Sequence, residues 1–165
     1  MSKEFQRWNN ITGWIVFAIS LFVYLMTVEP TASFWDCGEF ILCSYRLEVG
    51  HPPGAPLFLM ISKMFSLMAG SDTSHVAVWI NRFSALGSAF TILFLFWSIT
   101  RLIRMASKHF EDPRGAASVA ILASGVVGAL AYAFCDTFWF SAVEGEVYAT
   151  SSLFTALVFW AILKW

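Results

Sequence analysis

Apolar positions fill this chain in long runs, and the polar positions collect between them. Trp8–Val28 runs 21 positions without a charged residue, close to the roughly 20 needed to cross a hydrocarbon core. It exceeds the apolar region of about 7–15 residues in a cleaved signal peptide, and no small-x-small site follows, so it reads as a retained span. Val76–Thr100 is a second span, interrupted only by Arg82 near its start. Ala116–Cys135 is a third, where Ser124, Gly125, Gly128 and Ala129 offer a small-residue face for close helix packing. Val147–Leu163 is a fourth, uncharged over 17 residues and closed by Lys164 and Trp165, an interfacial pair. Pro56–Gly70 is apolar but only 15 residues long, with Lys63 in its middle.

Charge decides how that last piece is placed. The connection Arg101–Gly115 holds Arg101, Arg104, Lys108 and Arg114 against Glu111 and Asp112, which marks it as cytoplasmic. With Lys3 and Arg7 holding the N-terminus on the same side, two crossings lie between, so Pro56–Gly70 does not span. It reads as an interfacial or re-entrant helix. The outer side then consists of Glu29–His75 and Asp136–Glu146, which carry eight of the eleven acidic residues and only Arg46 and Lys63 as bases. The expected fold class is all-α integral membrane: about four transmembrane helices in a single transmembrane domain, with two interfacial helices, about 33–46 and 56–70, in the first outer loop.

Composition agrees. The chain is 58% hydrophobic and only 13% charged, where soluble domains run near a quarter charged. No basic run suggests nucleic acid. Cys37, Cys43 and Cys135 have no metal-type spacing, and His51, His75 and His109 are too scattered to form a metal cluster by spacing.

Candidate chemistry gathers in Ser33–Pro56. On a helix begun at Ser33, Asp36, Glu39, Cys43 and Arg46 fall at spacings of three, four and three and share one face. Two carboxylates one turn apart can share a proton, raise one pKa or hold a cation. They can equally be first-turn acids favoured by the helix dipole, with Ser33 and Asp36 forming a capping-box-like start. Three prolines in His51–Pro56 stiffen the turn that follows, and Pro56 suits the first position of a helix. His51 is a general acid, a phosphate ligand or a turn residue. Glu144 and Glu146 stand at the mouth of the fourth span, where Glu146 and Tyr148 open the helix; a carboxylate entering a bilayer segment is costly and often functional. Arg82, inside the outer end of the second span, needs a partner: one of these carboxylates, or an anionic lipid phosphate.

With TASFWDCGEF, GHPPGAPLF and VEGEVYA in this order around the spans, the chain resembles the GT-C glycosyltransferases. Within them it is similar to protein O-mannosyltransferase relatives and to a related bacterial family of N-terminal multi-span domains. The resemblance implies an enzyme that moves a sugar from a polyprenyl-phosphate donor to a protein or glycan acceptor at the outer face of a membrane, expected to be a bacterial inner membrane with the N-terminus cytoplasmic. It implies Asp36 as catalytic base and Glu39 as second acid. Donor or acceptor binding would fall to His51, Arg82, Glu144, Glu146 and Tyr148. No metal ligand is assigned, and a divalent cation at Asp36 and Glu39 stays open, since their spacing permits either role. Four spans do not enclose a donor groove, so the chain reads as the N-terminal portion of a larger protein. The competing classes are a non-catalytic membrane subunit whose acidic loop binds a partner or lipid head group, and a transporter segment. Transport acids should lie near the midplane of spans, whereas these sit in outer loops.

Overall fold

The computed structural model describes residues 2–106 and 113–165. Lys108, His109, Glu111 and Asp112 of the basic connection lie outside the described residues. Among the described residues seven α-helices carry the fold: α1 (Lys3–Thr27), α2 (Cys37–Arg46), α3 (Pro56–Ser66), α4 (Val76–Ala106), α5 (Ala116–Ala133), α6 (Asp136–Val143) and α7 (Val147–Lys164). Four of them, α1, α4, α5 and α7, are long and apolar enough to cross a membrane.

The bundle is built around α4. Two thirds (67%) of its span stretch is buried inside the protein, against 22%, 22% and 11% for α1, α5 and α7. Its buried face explains this: Ser84, Ala85, Gly87, Ser88 and Ala89 are small enough to let neighbouring backbones close in. The stretch 124–129 of α5 answers with its own small residues. A Cβ on Gly125 would stand 2.7 Å from Thr100 Cγ2 and 2.8 Å from Phe96 Cε2, so only glycine allows this approach. Large apolar side chains on the opposite faces, among them Ile15, Phe22, Val127 and Phe159, are exposed and suit a lipid surround.

The pieces outside the spans differ from the sequence expectation in three ways. The helix laid from Ser33 starts at Cys37 instead, and Asp36 stands at its N-cap without a side-chain cap bond. The second outer loop is not a plain connection, because α6 occupies most of it. The second span continues to Ala106, past Arg101 and Arg104. By contrast α3 begins with Pro56 in its first turn, as the ring's fixed φ favours. Lys63 has a use within it, since its Nζ donates to the Tyr45 carbonyl and lies over the Tyr45 ring, pinning α3 to the last turn of α2. Phe58 and Leu59 of α3 join Phe40 and Cys43 of α2 and Ile80 and Phe83 of α4 in one core, while Leu57, Met60 and Met64 point outward.

Candidate functional site: an acidic cluster where two loops meet

Long-range bonds draw the two connections together at one end of the bundle. Tyr24 Oη donates to the Ala133 carbonyl at 2.9 Å, Trp139 Nε1 to Thr27 Oγ1 at 3.0 Å, and the Glu29 amide to the Val143 carbonyl at 3.0 Å. Asn81, fully buried on α4, donates its Nδ2 to the Glu29 carbonyl at 2.7 Å and to the Thr31 carbonyl at 2.9 Å. Gly145 lies against the same asparagine: a Cβ there would come within 2.8 Å of Asn81 Oδ1 and 3.0 Å of Ile80 Cγ2. One amide therefore holds the entry to the first loop and sits under the second.

The clamp places Ser33 beside Glu144, and Ser33 Oγ donates to Glu144 Oε2. The hydroxyl expected to cap α2 is thus spent on a carboxylate 111 residues away. Three residues further on, Asp36 opens α2. It is preceded by Trp35 in the left-handed region at φ 63°, a strained backbone for a bulky side chain. Phe34 and Trp35 are 82% and 88% exposed, so two aromatic rings flank Asp36 at the surface. Cys37 beneath them is fully buried. Burial pushes its thiol up, while backbone hydrogen bonds from Ser33 and Gly145 pull the other way.

Asp36, Glu39 and His51 come together as one group. His51 Nδ1 lies 3.0 Å from Glu39 Oε2, its amide donates to Glu39 Oε1 at 2.7 Å, and its Nε2 stands 4.0 Å from Asp36 Oδ2. The turn that presents it closes through the Gly54 amide on the His51 carbonyl at 3.0 Å. The His51 amide, then its ring, hold the Glu39 carboxyl below the usual range; Glu39 in return raises the imidazole. The ligand atoms of all three lie within 4.8 Å of one another, so two carboxylate oxygens and one imidazole nitrogen could hold a divalent cation. His51, a scattered histidine by spacing, finds its partners in space.

Glu144 and Glu146 are 3% and 6% exposed. Burial raises the Glu144 carboxyl, with the Ser33 bond opposing it and Glu29 adding to it. Burial, then Glu144 and Asp36, push Glu146 up to about 7. The remaining two site residues stand apart. Arg82 stacks on the Trp79 ring at 4.5 Å and forms no ion pair with a carboxylate among the described residues. Tyr148 is exposed on the first turn of α7. Asn81 and Ser33 are the contributors that sequence reasoning missed. The only signal for Asn81 was an amide set within an apolar run, beside Arg82.

No solved structure matches the chain. Over 144 residues it is 26% identical to the protein O-mannosyl-transferase tmem260 of Dictyostelium discoideum, covering 87% of this chain and 16% of that protein. Over 143 residues it is 28% identical to the protein O-mannosyl-transferase TMEM260 of Mus musculus, covering 87% of this chain and 18% of that protein. The chain thus spans less than a fifth of the length of these relatives. The family model described as the protein O-mannosyl-transferase TMEM260 N-terminal domain matches residues 36–165, from Asp36 through both acidic loops to the last residue, and the chain belongs to that family.

Proposed function

We propose that this chain is the N-terminal membrane portion of a glycosyltransferase that moves a sugar, mannose by the relatives' names, from a polyprenyl-phosphate donor to a protein hydroxyl. Asp36 acts as the base. It takes the proton of the acceptor hydroxyl as that oxygen bonds to the anomeric carbon, and the bond from that carbon to the phosphate oxygen breaks with its electron pair leaving on the lipid phosphate. The observation that carries this reading is the division of labour at the N-terminus of α2. His51 occupies both oxygens of Glu39, whereas the exposed Asp36 carboxylate has, among the described residues, no ion-pair contact beyond the 4.0 Å approach of the same ring.

The other groups fit supporting roles. Glu39 holds His51 beside the reacting centre and favours the charged form of its ring. Arg82, with no carboxylate partner among the described residues, is available to a lipid phosphate. Glu144 and Glu146 join the cluster from the second loop, and Tyr148, exposed on the first turn of α7, is available to donor or acceptor. The site lies on the outer side of the membrane with the N-terminus opposite. That orientation rests on the basic residues near Arg7 and Arg101, and the assignment to a bacterial inner membrane on motif resemblance alone.

The test is transfer of a labelled sugar from a polyprenyl-phosphate donor, in membranes carrying the full-length protein. Asp36→Asn should cost about 10²- to 10⁴-fold, the usual worth of a positioned general base, with the protein still inserted. Unchanged transfer would remove Asp36 from the chemistry. Loss on chelation, restored by added divalent cation, would reassign Asp36, Glu39 and His51 as metal ligands.

A further inference from the structure

The end of the bundle away from the acidic cluster carries a second concave site. Arg101 lies 20 residues beyond Asn81 on α4, about 30 Å at 1.5 Å per residue, so the two sites face opposite membrane interfaces. α1 and α7 both pack on α4 but make little contact with each other. A groove of about 580 Å³ opens between them. Its wall is aromatic, with the Trp97 ring 6.2 Å from Trp14 and 5.6 Å from Trp160. Its rim carries Arg101 and Lys164 with the amides of Asn9 and Asn10, and no carboxylate lines it among the described residues.

Arg101 donates its Nε to the Leu163 carbonyl at 3.2 Å, which leaves its outer nitrogens for another acceptor. Lys164 Nζ sits over the Trp160 ring at 4.7 Å. Neither has an ion-pair partner among the described residues. The cavity joins two cations and two amides to an indole wall at the end of the bundle opposite the acidic cluster. Guanidinium and ammonium groups favour phosphate oxygens, and indoles favour head-group depth. The open side between α1 and α7 gives an acyl chain an exit into the bilayer.

We propose that this groove binds the phosphate head group of an anionic membrane lipid, with Arg101 and Lys164 on the phosphate and Asn9 and Asn10 on its ester or hydroxyl oxygens. The site is independent of the acidic cluster and does not rest on the glycosyltransferase reading.

The test uses the full-length protein in phosphatidylcholine nanodiscs, with phosphatidylglycerol as the probe and retained lipid counted by mass spectrometry. The wild type should retain phosphatidylglycerol over phosphatidylcholine. The double variant Arg101→Gln, Lys164→Gln should retain it roughly 10- to 30-fold less, two cations at a membrane surface being lost. Lys164→Gln alone, which leaves the Arg101–Leu163 bond in place, should lose about fivefold. Displacement of the probe by inorganic phosphate alone would reassign the groove to a free phosphate compound and overturn the lipid source. Equal retention by the wild type and both variants, or no preference for phosphatidylglycerol, would overturn the site itself.

Discussion

Replacing Glu146 with Gln removes one charge from the acidic cluster while keeping the shape of the side chain. Glu146 is 6% exposed, and burial first, then Glu144 and Asp36, push its carboxyl up to about 7. In the unfolded chain the same group loses its proton near the ordinary glutamate value of about 4.3. Between those two values the folded protein holds a proton that the unfolded chain has released. Stability therefore falls as pH rises through the window, and the full penalty is present above about 7. At about 1.4 kcal/mol per pH unit the gap corresponds to an upper figure on the order of 4 kcal/mol. Water reaching the cluster through Asp36, whose side chain is 59% exposed, screens part of it and leaves roughly 1–3 kcal/mol. Glu146→Gln should match the wild type near the acid end of this window and exceed it in stability by that amount above neutrality. The measurement is the unfolding midpoint of the full-length protein in one detergent, taken across the window for both proteins. A difference between them that stays constant with pH would refute the argument. A variant less stable than the wild type above neutrality would show that the carboxylate is bound in its charged form.

Asn81→Ala removes two part-buried hydrogen bonds to backbone carbonyls and should cost roughly 1–3 kcal/mol, read as a lower unfolding midpoint, with sugar transfer lost alongside because both loops lose their common anchor. Glu39→Gln takes away the charge that raises His51, so the imidazole titration followed by NMR should move down toward the ordinary histidine value; a titration that stays put would mean the 3.0 Å contact is not formed in solution. The same variant should keep more transfer activity than Asp36→Asn, since in this reading Glu39 positions His51 and does not accept the proton.

The spans were legible because a charge-free run of about 20 residues has few other uses, and the small residues of 124–129 mark the tight α4–α5 face by their size alone. The acidic segment was legible as a place and misread as a shape. Ser33 followed by Asp36 has the look of a helix start, but the serine hydroxyl answers Glu144, and a contact across 111 residues leaves no trace in local spacing. The same holds for His51, whose turn chemistry was plain from its prolines and whose tie to Glu39, 12 residues back, was not. α6 escaped notice because Asp136–Val143 is too short to show a period and has no side-chain cap bond. Asn81 escaped because nothing local distinguishes an amide that carries two loops from one that merely sits in a helix.

Four carboxylates in one patch would repel one another if each were left alike, and the fold gives each a different neighbour. Glu39 has an imidazole and an amide, which favour its charged form. Glu144 has the Ser33 hydroxyl and a buried setting that pull in opposite directions. Glu146 is buried and keeps its proton to about 7, which spares Asp36 a full negative neighbour at lower pH. Environments that drive neighbouring carboxyls apart are how one patch comes to hold distinct acid and base roles. Asp36 is left as the exposed member, flanked by two surface aromatics and committed to no strong partner. A base that must meet an incoming hydroxyl has to be a group the fold has not already spent, and among the described carboxylates of this patch that is why the proposed mechanism assigns the role to Asp36.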